Sequence, residues 1–260
     1  MAEIPGIDIT KPHAARVYDW ALGGKDHYEA DREYGEQVVA VAPEYPRLAR
    51  ANRGFLERAV GLVAGAGVRQ FIDLGTGIPT SPSVHEVATA ADPTARVMYI
   101  DNDPIVSVHN DALLANAENV RSIQADIRRP DEILGHPALR ELIDFAEPVA
   151  VLLVAVLHVI PDSADPAGIV ARFTERLGPG SYLVLSQLTS DGDPEAVARS
   201  RAATQDTAIP LAFRPHREIL GFFDGFDLVE PGLVSVHEWR PVAPAQPTRL
   251  VVLGGVGRKP

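Results

Sequence analysis

From residue 68 onward, short apolar runs alternate with stretches whose apolar residues recur at helical spacing. The runs Val68–Asp73, Arg96–Ile100, Val120–Gln124, Val149–Val156 and Ser181–Leu188 predict strands. Between them, Pro82–Ala91, Pro104–Asn116, a broken stretch across Pro130–Phe145 and Ala167–Leu177 predict helices. Such alternation predicts a mostly parallel sheet with helices on both faces. Val149–Val156 is apolar at every position, the pattern of a central strand buried on both sides.

The two ends of the chain read differently. Residues 1–10 read as a loose lead. Helices are predicted at His13–Leu22, stopped by Gly23-Gly24, at Glu29–Val41, and at Arg47–Ala64. Residues 1–65 therefore read as a helical extension, too polar to hold a strong core alone, packed on a domain spanning 66–260. In the tail, helices are predicted at Asp193–Ala203 and His216–Phe223, and strands at Phe226–Val229 and Arg249–Leu253. The proline-rich stretch Pro231–Pro247 reads as a long connection, so the last two strands are expected to pair antiparallel at the sheet edge.

Composition narrows the functional classes. The chain has 260 residues, 46% of them hydrophobic, enough for a sizeable core. A formal net charge of -11 repels phosphate backbones, so no nucleic-acid partner is expected. Cysteine is absent, which excludes disulfides and thiolate metal sites; no metal is expected. No apolar run approaches the length of a spanning helix, and the N-terminus lacks the pattern of a signal peptide. A cytoplasmic protein without a membrane partner is expected; the sequence carries no reading of oligomeric state.

Chemistry concentrates where the strands end. Phe71-Ile72-Asp73-Leu74-Gly75-Thr76-Gly77 reads as a buried strand that ends in an acid and breaks into a glycine turn. Asp101 ends the second strand, Asp126 follows the third, and Leu157-His158 follows the fourth. These ends should line one rim of the sheet, where open α/β folds bind ligands. A carboxylate after the second strand suits both hydroxyls of a ribose, and one after the third suits an exocyclic amine such as adenine N6.

In this ordered set the sequence resembles the class I S-adenosylmethionine-dependent methyltransferases. The matching residues are Asp73–Gly77, Ile100-Asp101, Ala125-Asp126-Ile127, Leu157–Asp162 and Leu177–Ser186. Ala14–Asp26 and Gly77–Thr80 with Val84–Ala88 resemble a narrower actinobacterial group long catalogued as a family of unknown function. The resemblance implies a Rossmann-like fold with a seven-stranded, mostly parallel sheet and an antiparallel last strand. Residues 1–65, placed before the first strand and carrying five of the chain's eight Tyr and Trp residues, are expected to form an N-terminal helical lid over the ligand rim. The resemblance also implies S-adenosyl-L-methionine as cofactor, bound by Asp73, Gly75, Thr76, Gly77, Asp101, Asn102, Asp126, Ile127 and Leu157. The methyl acceptor is expected to be a small molecule, a reading the resemblance does not supply. Pro79 stands where a third glycine is common and removes one backbone donor. Gly24, Lys25 and Asp26 are expected to compensate, Lys25 meeting the methionine carboxylate and Asp26 or Asp19 its amine. His158 and Tyr18 are the candidate catalytic bases. Two alternatives stay open: a binder of the cofactor without catalysis, and a nicotinamide oxidoreductase. For the latter, Thr80 occupies the position of the required third glycine.

Overall fold

The computed structural model describes residues 8–114, 119–244 and 246–260. Most of the expected N-terminal lead, and the end of the helix expected to reach Asn116, lie outside these ranges. Three helices come first: α1 (Ala14–Leu22), α2 (Glu29–Val41) and α3 (Tyr45–Gly65). Then follow β1 (Gln70–Leu74), α4 (Val84–Ala91), β2 (Arg96–Asp101), α5 (Pro104–Leu114) and β3 (Val120–Gln124). The stretch expected to be a broken helix is two short ones, α6 (Pro130–Gly135) and α7 (Pro137–Leu142). The chain continues through β4 (Ala150–Val154), α8 (Pro166–Thr174), β5 (Tyr182–Thr189), α9 (Pro194–Thr204) and α10 (His216–Gly221). It ends with two-residue strands β6 (Asp227–Leu228) and β7 (Val234–Ser235) and the long β8 (Val251–Arg258).

The sheet order is β3-β2-β1-β4-β5-β8-β6, with β7 also paired to β8. β1 to β5 run parallel, and β8 runs against β5, β6 and β7. The expected seven-stranded path and antiparallel last strand are present; β7 is an eighth, off-path strand inside the stretch expected to be a plain connection. The last strand differs from expectation in extent and place. It continues to Arg258 and lies inside the sheet, between β5 and the broken edge formed by β6 and β7. Glycines at 254, 255 and 257 hid it, because glycine ordinarily weakens a strand. Here they admit close neighbours. A Cβ at Gly254 would lie 2.8 Å from Val236 and 2.9 Å from the Phe55 ring, and one at Gly257 2.8 Å from Phe226.

Alternation along the strands builds two cores. Phe71, Val97, Tyr99, Leu152 and Val184 face one side, covered by α3, α4 and α9. Ile72, Met98, Ile100, Leu153 and Leu185 face the other, covered by α6, α7, α8 and α10. α3 contributes Leu48, Phe55, Leu56, Val60 and Val63 to the first core. α3 is thus seated on the sheet, while α1 packs against α2 and α3, and α2 also against α9. α4 starts at Val84 instead of the expected Pro82, because Ser83 and Glu86 form a reciprocal capping box.

Candidate active site

The strand ends gather as the alternating pattern predicts. Gly75 and Gly77 have φ of +73° and +68°, the left-handed region that disfavours other residues. Gly75 has a second constraint, since a Cβ there would sit 2.3 Å from Val156. A Cβ at Gly77 would meet nothing within 4 Å, so the backbone there is open to a ligand. Thr76 locks the turn: its hydroxyl donates to the Asp73 carbonyl at 3.0 Å and accepts from Ile100 N at 3.2 Å. Asp101, buried at the end of β2, accepts from Gly77 N at 2.8 Å and Asp103 N at 2.9 Å. Burial raises its pKa, against the pull of those two amides.

A cavity with about 330 Å³ open to water-sized molecules spreads from this rim, within the size range of small-ligand sites. Asp73, Gly75, Thr76, Gly77, Asp101, Asn102, Asp126 and Ile127 all line it. Asp126 is held by Arg128, whose Nε lies 2.9 Å from each carboxylate oxygen and keeps its pKa below the usual range. Burial pushes the Asp73 carboxyl up to about 7, with Arg53 opposing and Asp101 adding to the rise.

Arg53 is a site residue the sequence reading missed. It lines the cavity from α3, its Nη2 donates to the carbonyls of Thr80 and Pro82, and its Nε is buried without a partner. The signal was present: Arg53 lies on one helix stripe with the buried Ala49 and Leu56, four residues before it and three after. A cation at such a position needs an anion. Arg53 beside Asp73 gives neighbouring charges of opposite sign, a match for the zwitterionic end of an amino acid.

Gly24, Lys25 and Asp26 do not line the cavity, contrary to expectation. Asp19 organises their turn instead, accepting from Asp26 N at 3.0 Å and lying 3.2 Å from His27 Nδ1. Gly24 is required because a Cβ would lie 1.9 Å from the Asp19 carboxylate. Lys25 and Asp26 are left exposed. It is the start of α1, from Pro12 to Tyr18, that faces the cavity. There a buried clasp joins α1 and α2 to the rim. Arg16 Nε lies 3.3 Å from Asp103 and 3.5 Å from Asp31, and His13 Nδ1 lies 2.9 Å from Asp103. Asp31 also accepts from His13 N at 2.9 Å and Tyr28 N at 2.8 Å. Burial disfavours the His13 cation, but Asp103 outweighs it and raises the imidazole pKa.

Leu157 also departs from expectation. It is fully buried in the core and does not line the cavity; its carbonyl accepts from Arg214 Nη1 at 2.8 Å. The next residue, His158, does line it. Ala155, at φ +59° and held by Ser186 Oγ at 2.9 Å, bends the chain out of β4 toward that position. Burial, helped by the Arg214 charge, lowers the His158 pKa to about 4. Its Nδ1 is buried without a partner, so Nε2 is the nitrogen left for a ligand. Tyr18 is unsuited to act as a base. Its hydroxyl donates to the Ala49 carbonyl at 2.9 Å and accepts from Asn52 at 3.0 Å, and burial raises its pKa. Among the described residues, no cluster of His, Cys, Asp or Glu could hold a metal, and no helix is long and apolar enough to cross a membrane.

Solved structures similar to this chain include two of closely matching length. A DUF574 family protein of Streptomyces avermitilis MA-4680 is 42% identical over 97% of this chain and 100% of its own, with a TM-score of 0.92. A candidate methyltransferase of Thermobifida fusca YX is 41% identical over 98% of this chain and 97% of its own, with a TM-score of 0.93. The N-methyltransferase NodS of Bradyrhizobium japonicum WM9, 15% identical over 78% of this chain and 94% of its own with a TM-score of 0.50, shares the fold alone. No curated protein matches the chain. The S-adenosyl methyltransferase family model matches residues 2–260, nearly the whole length over which rim, cavity and N-terminal helices were traced. The chain belongs to the S-adenosyl methyltransferase family: it is a methyltransferase, and its cofactor is S-adenosyl-L-methionine.

Proposed function

We propose that the methyl acceptor is a small molecule held in the cavity, under a lid formed by α1, α2 and α3. One observation carries this reading. The cavity is lined by the rim and by Val17, Tyr34, Val38, Tyr45 and Leu48 from those three helices, with His13 just before α1. An acceptor placed behind the rim is surrounded by protein, which suits a small molecule better than a macromolecular surface.

The residues fit the cofactor. Arg53 takes the methionine carboxylate and Asp73 its ammonium. Gly77 lets the backbone approach, Asp101 accepts from the ribose hydroxyls, and Asn102, Asp126 and Ile127 border the adenine. Bound there, S-adenosylmethionine supplies a methyl group already activated on a sulfonium. The protein's remaining work is to orient the acceptor, exclude water and receive any proton the acceptor loses. His158 is the cavity-lining base candidate the geometry retains.

Calorimetry tests the rim. S-adenosylmethionine and S-adenosylhomocysteine should bind at micromolar affinity and NAD should not; tighter binding of NAD would refute the assigned roles. Asp101→Ala should weaken S-adenosylhomocysteine roughly tenfold or more, because a hydrogen bond to a charged group contributes about 1.5–3 kcal/mol. It should also lower the melting temperature, since Gly77 N and Asp103 N lose their acceptor. Unchanged affinity would move the ribose acceptor elsewhere. Hydrogen exchange locates the lid: S-adenosylhomocysteine should protect the start of α1 as well as the strand ends. Protection at the strand ends alone would show that the helices do not sense the cofactor.

A further inference from the structure

Beyond the rim the cavity continues into a second lobe, built by α2, α3, α9 and the segment 208–211. Tyr34, Val38, Tyr45, Val159 and Leu211 pack around one another in its wall. Ala212 N donates to the His158 carbonyl at 2.8 Å, which brings this wall beside His158. Charge is distributed unevenly. The charged residues lining the cavity are His13, Arg53, Asp73, Asp101, Asp126 and Arg128, all at the rim or the start of α1 with its neighbour on α3. Among the described residues, α2, α9 and 208–211 contribute no charged side chain to the lining.

Most polar groups of the lobe are already engaged. Tyr34 donates to the Ile209 carbonyl at 2.9 Å, and Tyr18 is bound to Ala49 and Asn52. Three stand without a protein hydrogen bond: the Tyr45 hydroxyl, His158 Nε2 and the buried Ser200 hydroxyl on α9. Given methyl transfer at the rim as read above, we propose that this lobe takes an uncharged, largely apolar acceptor whose hydroxyl, of the phenol class, hydrogen-bonds His158 Nε2.

The chemistry follows from the surroundings. A carboxylate or ammonium in this lobe would lose its hydration with no counter-ion in reach. A hydroxyl loses little, because His158 replaces the water it gives up. The imidazole is neutral at physiological pH, its value held near 4 by burial and Arg214, and with its proton on Nδ1 it accepts at Nε2. So weak a base does not ionise a phenol beforehand. It suffices during transfer, because the oxygen becomes strongly acidic as it gains the methyl. The O–C bond forms, the C–S bond breaks with its electron pair on sulfur, and the hydroxyl proton passes to Nε2 and then to water.

Three naphthalene probes of matched shape test the class: 2-naphthol, 2-naphthoate and 2-naphthylmethylammonium. S-adenosylhomocysteine is titrated first; failure of that binding would refute the rim, independently of the lobe. Each probe is then titrated into the saturated complex. The expected result is that 2-naphthol binds and both charged probes bind roughly tenfold weaker or worse. Val38→Trp and Ser200→Leu, which fill the lobe from α2 and α9, should abolish 2-naphthol binding while S-adenosylhomocysteine still binds. His158→Phe should weaken 2-naphthol by about threefold to tenfold, the loss of one hydrogen bond. Equal or tighter binding of a charged probe, no binding of any probe, or indifference of 2-naphthol to the filling variants or to His158→Phe would overturn the proposal.

Discussion

Arg16→Leu is expected to cost about 3–5 kcal/mol of stability, because it strips the guanidinium from two buried carboxylates. Asp31 is fully buried and Asp103 nearly so, and both lie against Arg16. For a chain of this size the loss corresponds to a fall in melting temperature of roughly 10 °C. Arg16 also lies 5.5 Å from the centre of the Tyr28 ring, so the start of α2 loosens with it. Thermal unfolding of the variant measures the cost. Adding Asp31→Asn and Asp103→Asn removes the stranded charges and should restore part of the stability. A melting temperature unaffected by Arg16→Leu would show that the clasp does not hold the helices to the rim.

Asp73→Asn should move stability and affinity in opposite directions. The carboxyl has a folded pKa of about 7 against an ordinary 3.8, raised first by burial. Between those two values the unfolded chain binds fewer protons than the folded one. Stability therefore falls as pH rises through this window, and the full penalty stands above it. Asparagine mimics the protonated acid. It should raise the melting temperature of the unliganded protein above pH 7 and leave it nearly unchanged near pH 4. The ligand's ammonium needs the ionised acid, so the wild type should bind S-adenosylmethionine more weakly as pH drops below 7 and release a proton on binding. In Asp73→Asn that dependence should flatten, with affinity at neutral pH down roughly tenfold or more. Calorimetry in two buffers of different ionisation enthalpy reads the proton directly. Proton uptake, or identical pH profiles for both proteins, would remove Asp73 from the amine.

The acids of the rim were legible because each lies at or just beyond the end of a predicted strand, so that three carboxylates fall in register along one rim. Asp73, Asp101 and Asp126 were found on that ground, and all line the cavity. The fold was legible from strand alternation, which divides Phe71 from Ile72 and Val97 from Met98 between two cores. What stayed hidden depends on distant partners. Lys25 looked available because it follows a helix end, but Asp19 folds that turn on itself. Arg53 drew no reading from the sequence, because what holds it at the rim, the Thr80 and Pro82 carbonyls, lies far along the chain. The far half of β8 fell outside the expected strand, because its glycines make room for Phe55, Phe223 and Phe226, partners no local pattern shows.

That strand sets the order in which the protein can be made. β8 pairs with β5 along eight residues, from Tyr182↔Arg258 to Thr189↔Val251. It also receives Phe55 of α3, while Glu44 accepts from Leu250 N at 3.1 Å. During synthesis the sequence for the cofactor rim emerges early, and β3, β2, β1 and β4 can pair in a nascent chain. The cavity has Leu250 and Val252 in its lining and is incomplete without them. A chain halted before residue 249 is expected to leave the apolar α3 surface around Phe55 uncovered. On the roles proposed above, the donor site draws on β1 to β4, whereas closing the acceptor site requires β8.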